Sequence, residues 1–106
     1  MLEITARELQ EYLAIADPAP LLLDVRETGE YAICHIAGSR HIPMNQVPQF
    51  MDELDPQRET VVICHHGTRS ARVANYLEQA GFNKVLNLAG GIHAWACDVD
   101  RNMATY

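Results

Sequence analysis

The sequence predicts an α/β fold, a three-layer sandwich with a mostly parallel central sheet and helices on both faces. Three observations predict it. Leu21-Leu22-Leu23 and Val61-Val62-Ile63 are apolar runs too uniform for half-exposed strands, and they suit the middle of a parallel sheet. Segments with helical spacing of apolar residues alternate with such runs along the chain. The connections between them are short. At 106 residues the chain is expected to form one domain, residues 1–106, with a polar tail from about residue 98.

Leu2-Glu3-Ile4 reads as a short first strand. Thr5-Ala6-Arg7-Glu8 then has the capping-box pattern, in which Thr5 and Glu8 satisfy each other's backbone donors. Ile4 and Leu9 stand at the two positions of a hydrophobic staple. Leu9, Tyr12, Leu13 and Ala16 form the expected buried stripe, and Asp17-Pro18-Ala19-Pro20 ends the helix. The second strand closes on Asp24 and Val25. A short helical piece follows around Glu30-Tyr31-Ala32, then a turn at Gly38 and a brief strand, Arg40-His41-Ile42, closed by Pro43. Asn45 is placed to cap a helix with Val47, Phe50, Met51 and Leu54 on one face, ending near Asp55-Pro56. Lys84-Val85-Leu86-Asn87-Leu88 reads as the last strand. Gly90-Gly91 makes a tight turn, Ile92 to Ala96 starts a helix, and the tail from Asp98 is expected to fray.

The informative stretch is Val61-Val62-Ile63-Cys64-His65-His66-Gly67-Thr68-Arg69-Ser70. A buried strand runs into Cys64, a glycine-containing loop follows, and a helix begins near Arg69. Val73, Tyr76, Leu77 and Ala80 mark that helix at i, i+3, i+4 and i+7, with Gly81 as its C-terminal stop. Ligands of open α/β sheets bind at the carboxyl ends of strands, where Cys64 lies. Amides of residues 65 to 69 would point to a common centre at the positive end of the helix, an environment that favours a thiolate or an anion carried on it. Arg69, His65 and His66 would add cationic or hydrogen-bonding character. The alternative, that Cys64 is merely a small core residue, is weakened by the glycine loop and helix start directly behind it.

Composition narrows the rest. Eight basic residues against fourteen acidic ones leave a formal charge of −6, which argues against nucleic-acid or anionic-membrane partners. The start, Met1-Leu2-Glu3-Ile4-Thr5, lacks the features of a secretory signal, and no apolar stretch approaches the ~20 residues of a membrane helix. Three cysteines without repeated spacing speak against a disulfide framework, so a cytoplasmic protein is expected. No cofactor is implied. Cys34-His35 and Cys64-His65-His66 lack the paired spacing of a structural zinc site, so no metal is expected. Cys34 as a resolving partner for Cys64 depends on distance, Cys97 and Trp95 read as packing residues, and His41 and His93 have no assigned chemistry. Asp24 is either a turn cap or a buried acceptor under the site, and the cap is preferred from the residues alone. Arg26 and Glu27 read as a solvated pair of little weight.

Taken together, four pieces of the chain resemble the rhodanese family, in order. Leu22-Leu23-Asp24-Val25-Arg26 with Glu27, Glu30 and Tyr31 is similar to its first signature, and His35-Ile36-Ala37-Gly38-Ser39 with Ile42-Pro43 to its second. Cys64-His65-His66-Gly67-Thr68-Arg69-Ser70 resembles the catalytic loop, and Leu88-Ala89-Gly90-Gly91-Ile92 with Ala94-Trp95 the C-terminal signature. The likeness is to small, single-domain bacterial members of the thiosulfate sulfurtransferase type.

The resemblance implies a sulfurtransferase. Cys64 would take a sulfur from a small anionic donor such as thiosulfate, or from a protein or low-molecular-weight persulfide, hold it as a persulfide, and pass it to cyanide, a thiol or a thioredoxin-like protein. His65, His66, Gly67, Thr68 and Arg69 would form the cradle, with Arg69 attracting the donor. Asp24 and Arg26 would be supporting residues, and the resemblance turns Asp24 from a turn cap into a hydrogen-bonding support for the loop or Arg69. His65 stands where some members carry a basic residue, so thiosulfate affinity is expected to rise as pH falls, in competition with loss of the Cys64 thiolate. Phosphatases and arsenate reductases that resemble rhodaneses have five residues between cysteine and arginine; here there are four, His65 to Thr68. That spacing disfavours oxyanion chemistry. The other alternative is a binding or regulatory module without turnover.

Overall fold

The computed structural model describes all residues, 1–106. Strand β1 (Leu2–Ile4) leads into helix α1 (Ala6–Ile15), then β2 (Leu21–Asp24), α2 (Thr28–Ile33) and β3 (Arg40–His41). After a broken helical segment containing α3 (Val47–Phe50) come β4 (Thr60–Ile63), α4 (Thr68–Gln79), β5 (Val85–Leu88) and α5 (Gly91–Asp98). The five strands lie in the order β1-β5-β4-β2-β3, and every adjacent pair is parallel. No helix is long and apolar enough to cross a membrane.

Strand periodicity divides the core. Successive side chains of a strand point to opposite faces. In β4, Val61 and Ile63 therefore join Leu22, Leu86 and Leu88 under α1 and α5, with Ala6, Leu9, Ile92 and Trp95. Val62 and Cys64 join Leu23, Val25 and Val85 on the other face, under Val47, Val73, Ala74 and Leu77. Cys64 is thus placed on the α4 side by the same alternation that builds the sheet. The capping box at the head of α1 is formed as expected: Thr5 Oγ1 accepts from the Glu8 amide at 3.2 Å, and Glu8 Oε1 from the Thr5 amide at 2.9 Å.

Three expectations are corrected. Residues 44–54 form no single helix; 3-10 turns at Met44–Gln46 and Met51–Glu53 flank the one-turn α3. Asn45 lies inside the first of these turns rather than capping a helix. Pro48 is the reason: it has no N–H to give to the residue four back, so a helix can only restart around it. Val47 and Leu54 are nevertheless buried, with Phe50 and Met51 packed beside them. In α4 the buried stripe is Ser70, Val73, Ala74 and Leu77, while Tyr76 and Ala80 face water. The stripe is set one turn earlier because Ser70 is drawn beneath Cys64. The tail after α5 turns back onto the protein. Asp100 and Met103 continue in turns, Met103 packs on the core, and Tyr106 returns to the loop.

Leu77→Ala is expected to destabilise the protein by about 2–5 kcal/mol in urea unfolding, as a buried large-to-small change. Tyr76→Ala should stay within ~0.5 kcal/mol. Equal effects would mean that the other side of α4 is the packed one.

Candidate active site

β4 stops at Ile63, and Cys64 is the first residue beyond it. The chain then turns through His65 and His66 to Gly67, which caps α4 with φ +104°. A side chain at Gly67 would be strained by that angle, and its Cβ would crowd the Leu88 carbonyl oxygen at 3.3 Å. The Gly67 amide donates to Cys64 Sγ at 3.0 Å, and the Ser70 hydroxyl does so at 3.3 Å. Of the loop amides expected to converge, Gly67 is the one bonded to sulfur.

A polar chain runs beneath the cysteine. Ser70 Oγ also bonds Asn87 Oδ1, whose Nδ2 donates to the Gly67 carbonyl at 3.1 Å and to Glu3 Oε2 at 3.2 Å. A serine hydroxyl has one proton, so it can serve the sulfur or Asn87 but not both at once. With a thiol, the S–H can donate to Ser70 while Ser70 donates to Asn87. With a thiolate, the Ser70 proton turns to sulfur. Cys64 is 1% exposed, so these donors replace water around it.

The loop is clamped from behind by α5. The Ile92 amide donates to the Cys64 carbonyl at 2.8 Å, and the His93 amide to that of His65 at 3.1 Å. A Cβ on Gly91 would lie 2.4 Å from each of those carbonyl oxygens, so only glycine lets the helix approach. Gly90-Gly91 therefore does more than make a turn.

Arg69 is held from the front. Its guanidinium makes a two-pronged ion pair with Glu30 of α2, at 2.7 and 2.9 Å. That contact is the main reason the Glu30 carboxyl is lowered to about 2 from its ordinary 4.5; burial opposes it, and the Glu27 amide and Tyr106 assist. The same bond raises the Arg69 pKa. Arg69 is also the one loop residue on the wall of an open cleft of about 410 Å³, between Glu27-Thr28 and Pro43–Gln46. Cys64 does not line this cleft.

Asp24 touches neither the loop nor Arg69. Its carboxylate accepts Arg26 Nε at 2.9 Å, Arg26 Nη2 at 2.7 Å and the Arg26 amide at 3.1 Å. The cap expectation is met by that last bond. Arg26, expected in solvent beside Glu27, is fully buried. It also donates to the carbonyls of Cys34 at 2.6 Å and Glu30 at 3.2 Å, and to the Tyr106 hydroxyl at 3.1 Å. Burial alone would lower its pKa, but hydrogen bonds to Asp24 and Tyr106 outweigh it and the net shift is upward. A chain of contacts thus runs from Asp24 through Arg26 to α2, whose Glu30 meets Arg69.

Among the remaining loop residues, Thr68 is exposed at the start of α4 and His66 is exposed. His65 is half-buried, stacked on Tyr106 with ring centroids 4.0 Å apart. Burial, then the neighbouring His66, lowers the His65 pKa, so its expected positive charge is diminished. His93, given no role by the sequence, stands beside both histidines. Cys34 and Cys64 belong to opposite cores, with the sheet between them, and all three cysteines are free. Sequence reasoning gave no role to Ser70, Asn87, Glu30 or Tyr106. Asn87 had a usable signal, a lone amide in an apolar strand; Tyr106 had none.

The chain belongs to the rhodanese family: the model of the rhodanese-like domain matches residues 5–98. It is 31% identical over 96 residues to a thiosulfate sulfurtransferase GlpE of Tolumonas auensis, covering 90% of this chain and 91% of that protein. It is 39% identical over 89 residues to a rhodanese-like/PpiC domain-containing protein 12 of Arabidopsis thaliana, covering 80% of this chain; the match spans only 30% of that longer protein. A crystal structure from Staphylococcus saprophyticus superposes with a TM-score of 0.85 at 34% identity, covering 93% of this chain and 97% of the other.

Two measurements check this frame. Glu30 has a depressed folded pKa, so its contribution to stability is complete above its unfolded value of 4.5 and fades as pH falls toward about 2. Glu30→Gln should therefore lower the melting temperature at pH 7 by clearly more than it does at pH 2, where most of the contribution is gone. Asp24→Ala strands a buried guanidinium and is expected to cost about 3–5 kcal/mol. A near-neutral result in urea unfolding would show that water reaches Arg26.

Proposed function

We propose that this protein is a sulfurtransferase that carries sulfane sulfur on Cys64. The observation that carries the reading is the Cys64 sulfur at the end of a central strand, bonded by the Gly67 amide inside a loop only four residues long before Arg69. The sulfurtransferase names of its relatives support sulfur transfer in general.

In the first half-reaction the Cys64 thiolate attacks the outer sulfur of thiosulfate. The sulfur–sulfur bond of thiosulfate breaks, sulfite leaves with the bonding pair, and Cys64 becomes a persulfide. In the second, cyanide or a thiol attacks the outer sulfur, which leaves as thiocyanate or a new persulfide and restores the thiolate. Electrons balance without an external oxidant. Splitting the transfer lowers each barrier, and the Gly67 amide with the Ser70 hydroxyl can stabilise negative charge on sulfur in a site shielded from water.

The burial of Cys64 suits this division of labour. Only one donor atom needs to enter the cradle, while the sulfite group remains outside, near Arg69. A tetrahedral oxyanion would need to bring its whole centre within reach of the sulfur, which argues against phosphatase or arsenate-reductase chemistry. Three free thiols are compatible with the reducing cytoplasm as its compartment. The alternative of a binding module draws on one feature, the engagement of Arg69 by Glu30 rather than by solvent.

Mass spectrometry after thiosulfate treatment should find one added sulfur on Cys64, removed by cyanide. Cys64→Ser should abolish both the adduct and thiocyanate formation. Transfer surviving that substitution, or sulfur found on Cys34 or Cys97 instead, would overturn the assignment. Absence of any adduct from thiosulfate and from low-molecular-weight persulfides would favour the binding module.

A further inference from the structure

We propose that His65, His66 and His93 form a site for a zinc-class cation beside the cysteine loop, with Cys97, next to His93, as its fourth ligand. The three histidines come from two segments: His65 and His66 from the loop after β4, His93 from the first turn of α5. One ring nitrogen of each lies within 4.8 Å of the other two. Cys97 follows His93 by four residues on α5, one turn further along the same face. Its thiol is exposed and free, and Sγ lies 3.7 Å from His93 Nε2.

The backbone beneath these side chains is already set. The His93 amide bonds the His65 carbonyl at 3.1 Å, and Ile92 bonds that of Cys64 at 2.8 Å. The two ligand-bearing segments therefore cannot drift apart. Tetrahedral zinc, with bonds of about 2.0–2.1 Å to nitrogen and 2.3 Å to sulfur, spaces its ligand atoms roughly 3.4–3.5 Å apart. The His93–Cys97 pair is near that distance now. The histidine nitrogens, within 4.8 Å of one another, would close by up to about 1.4 Å as their rings turn onto the ion, with the exposed Cys97 thiol following His93.

The donor set selects the ion. Three imidazoles and a thiolate are borderline-to-soft ligands, which suit zinc and offer no oxygen for calcium or magnesium. Binding would release the Cys97 thiol proton to solvent as the Zn–S bond forms. The bound ion would staple the cysteine loop to α5.

Cobalt(II) titration of the reduced protein under anaerobic conditions reads the site directly and does not depend on sulfur transfer. One equivalent should produce the visible bands of tetrahedral cobalt with a near-ultraviolet sulfur-to-cobalt transition, and zinc should bleach both. His93→Ala or His66→Ala should weaken binding by at least about tenfold, since even indirect partners of a metal are worth that much. Cys97→Ser should remove the sulfur transition and keep the visible bands. Cys64→Ser and His35→Ala, the latter an exposed histidine outside the cluster, should change nothing. No tetrahedral spectrum, a spectrum that survives His93→Ala, or one lost with Cys64→Ser would overturn the site.

Discussion

A guanidinium with no exposed surface stands behind much of the active-site geometry. Arg26 lies in the core because Asp24, on the strand before it, supplies a matched negative charge and carbonyls of α2 and its end take the remaining protons. A buried charge is costly unless paired and hydrogen-bonded throughout, so the arrangement is demanding. It fixes α2 against the sheet edge, and α2 is what brings Glu30 to Arg69. Tyr106 is gathered into the same cluster.

The loop carrying Cys64 is thereby gripped from two directions. Glu30 takes its arginine on one side, and the start of α5 takes two of its carbonyls on the other. Between these grips the sulfur meets one amide and one hydroxyl. Donors fixed in place around a buried sulfur suit the stabilisation of charge there, because their dipoles need not reorganise as that charge appears. The same rigidity narrows what can enter. The charge of Arg69 is already balanced by Glu30.

Much of this was legible in the residues. The capping box at Thr5 and Glu8, the buried strands and the strand–loop–helix unit at Cys64 follow from local patterns of two to eight residues, and local physics decides them. The α4 stripe was misread by one turn for the opposite reason. Ser70 is polar, and nothing local says that its hydroxyl will be buried against sulfur. Residues 44–54 were misread although the signal, Pro48, was in plain view; apolar spacing fits a broken helix as well as a whole one.

What the sequence alone determined was periodicity, capping and the place of Cys64 at a strand end, each set by neighbours along the chain. The tertiary structure decided the partners: Arg26 with Asp24 in the core, Glu30 with Arg69, Asn87 with Ser70, and His93 and Tyr106 beside His65. These pairs join residues on different elements, or depend on which of two faces is covered. Charge and hydrogen-bonding capacity are visible in a residue's name, but the desolvation that makes a partner obligatory arises only when the sheet and helices close over it.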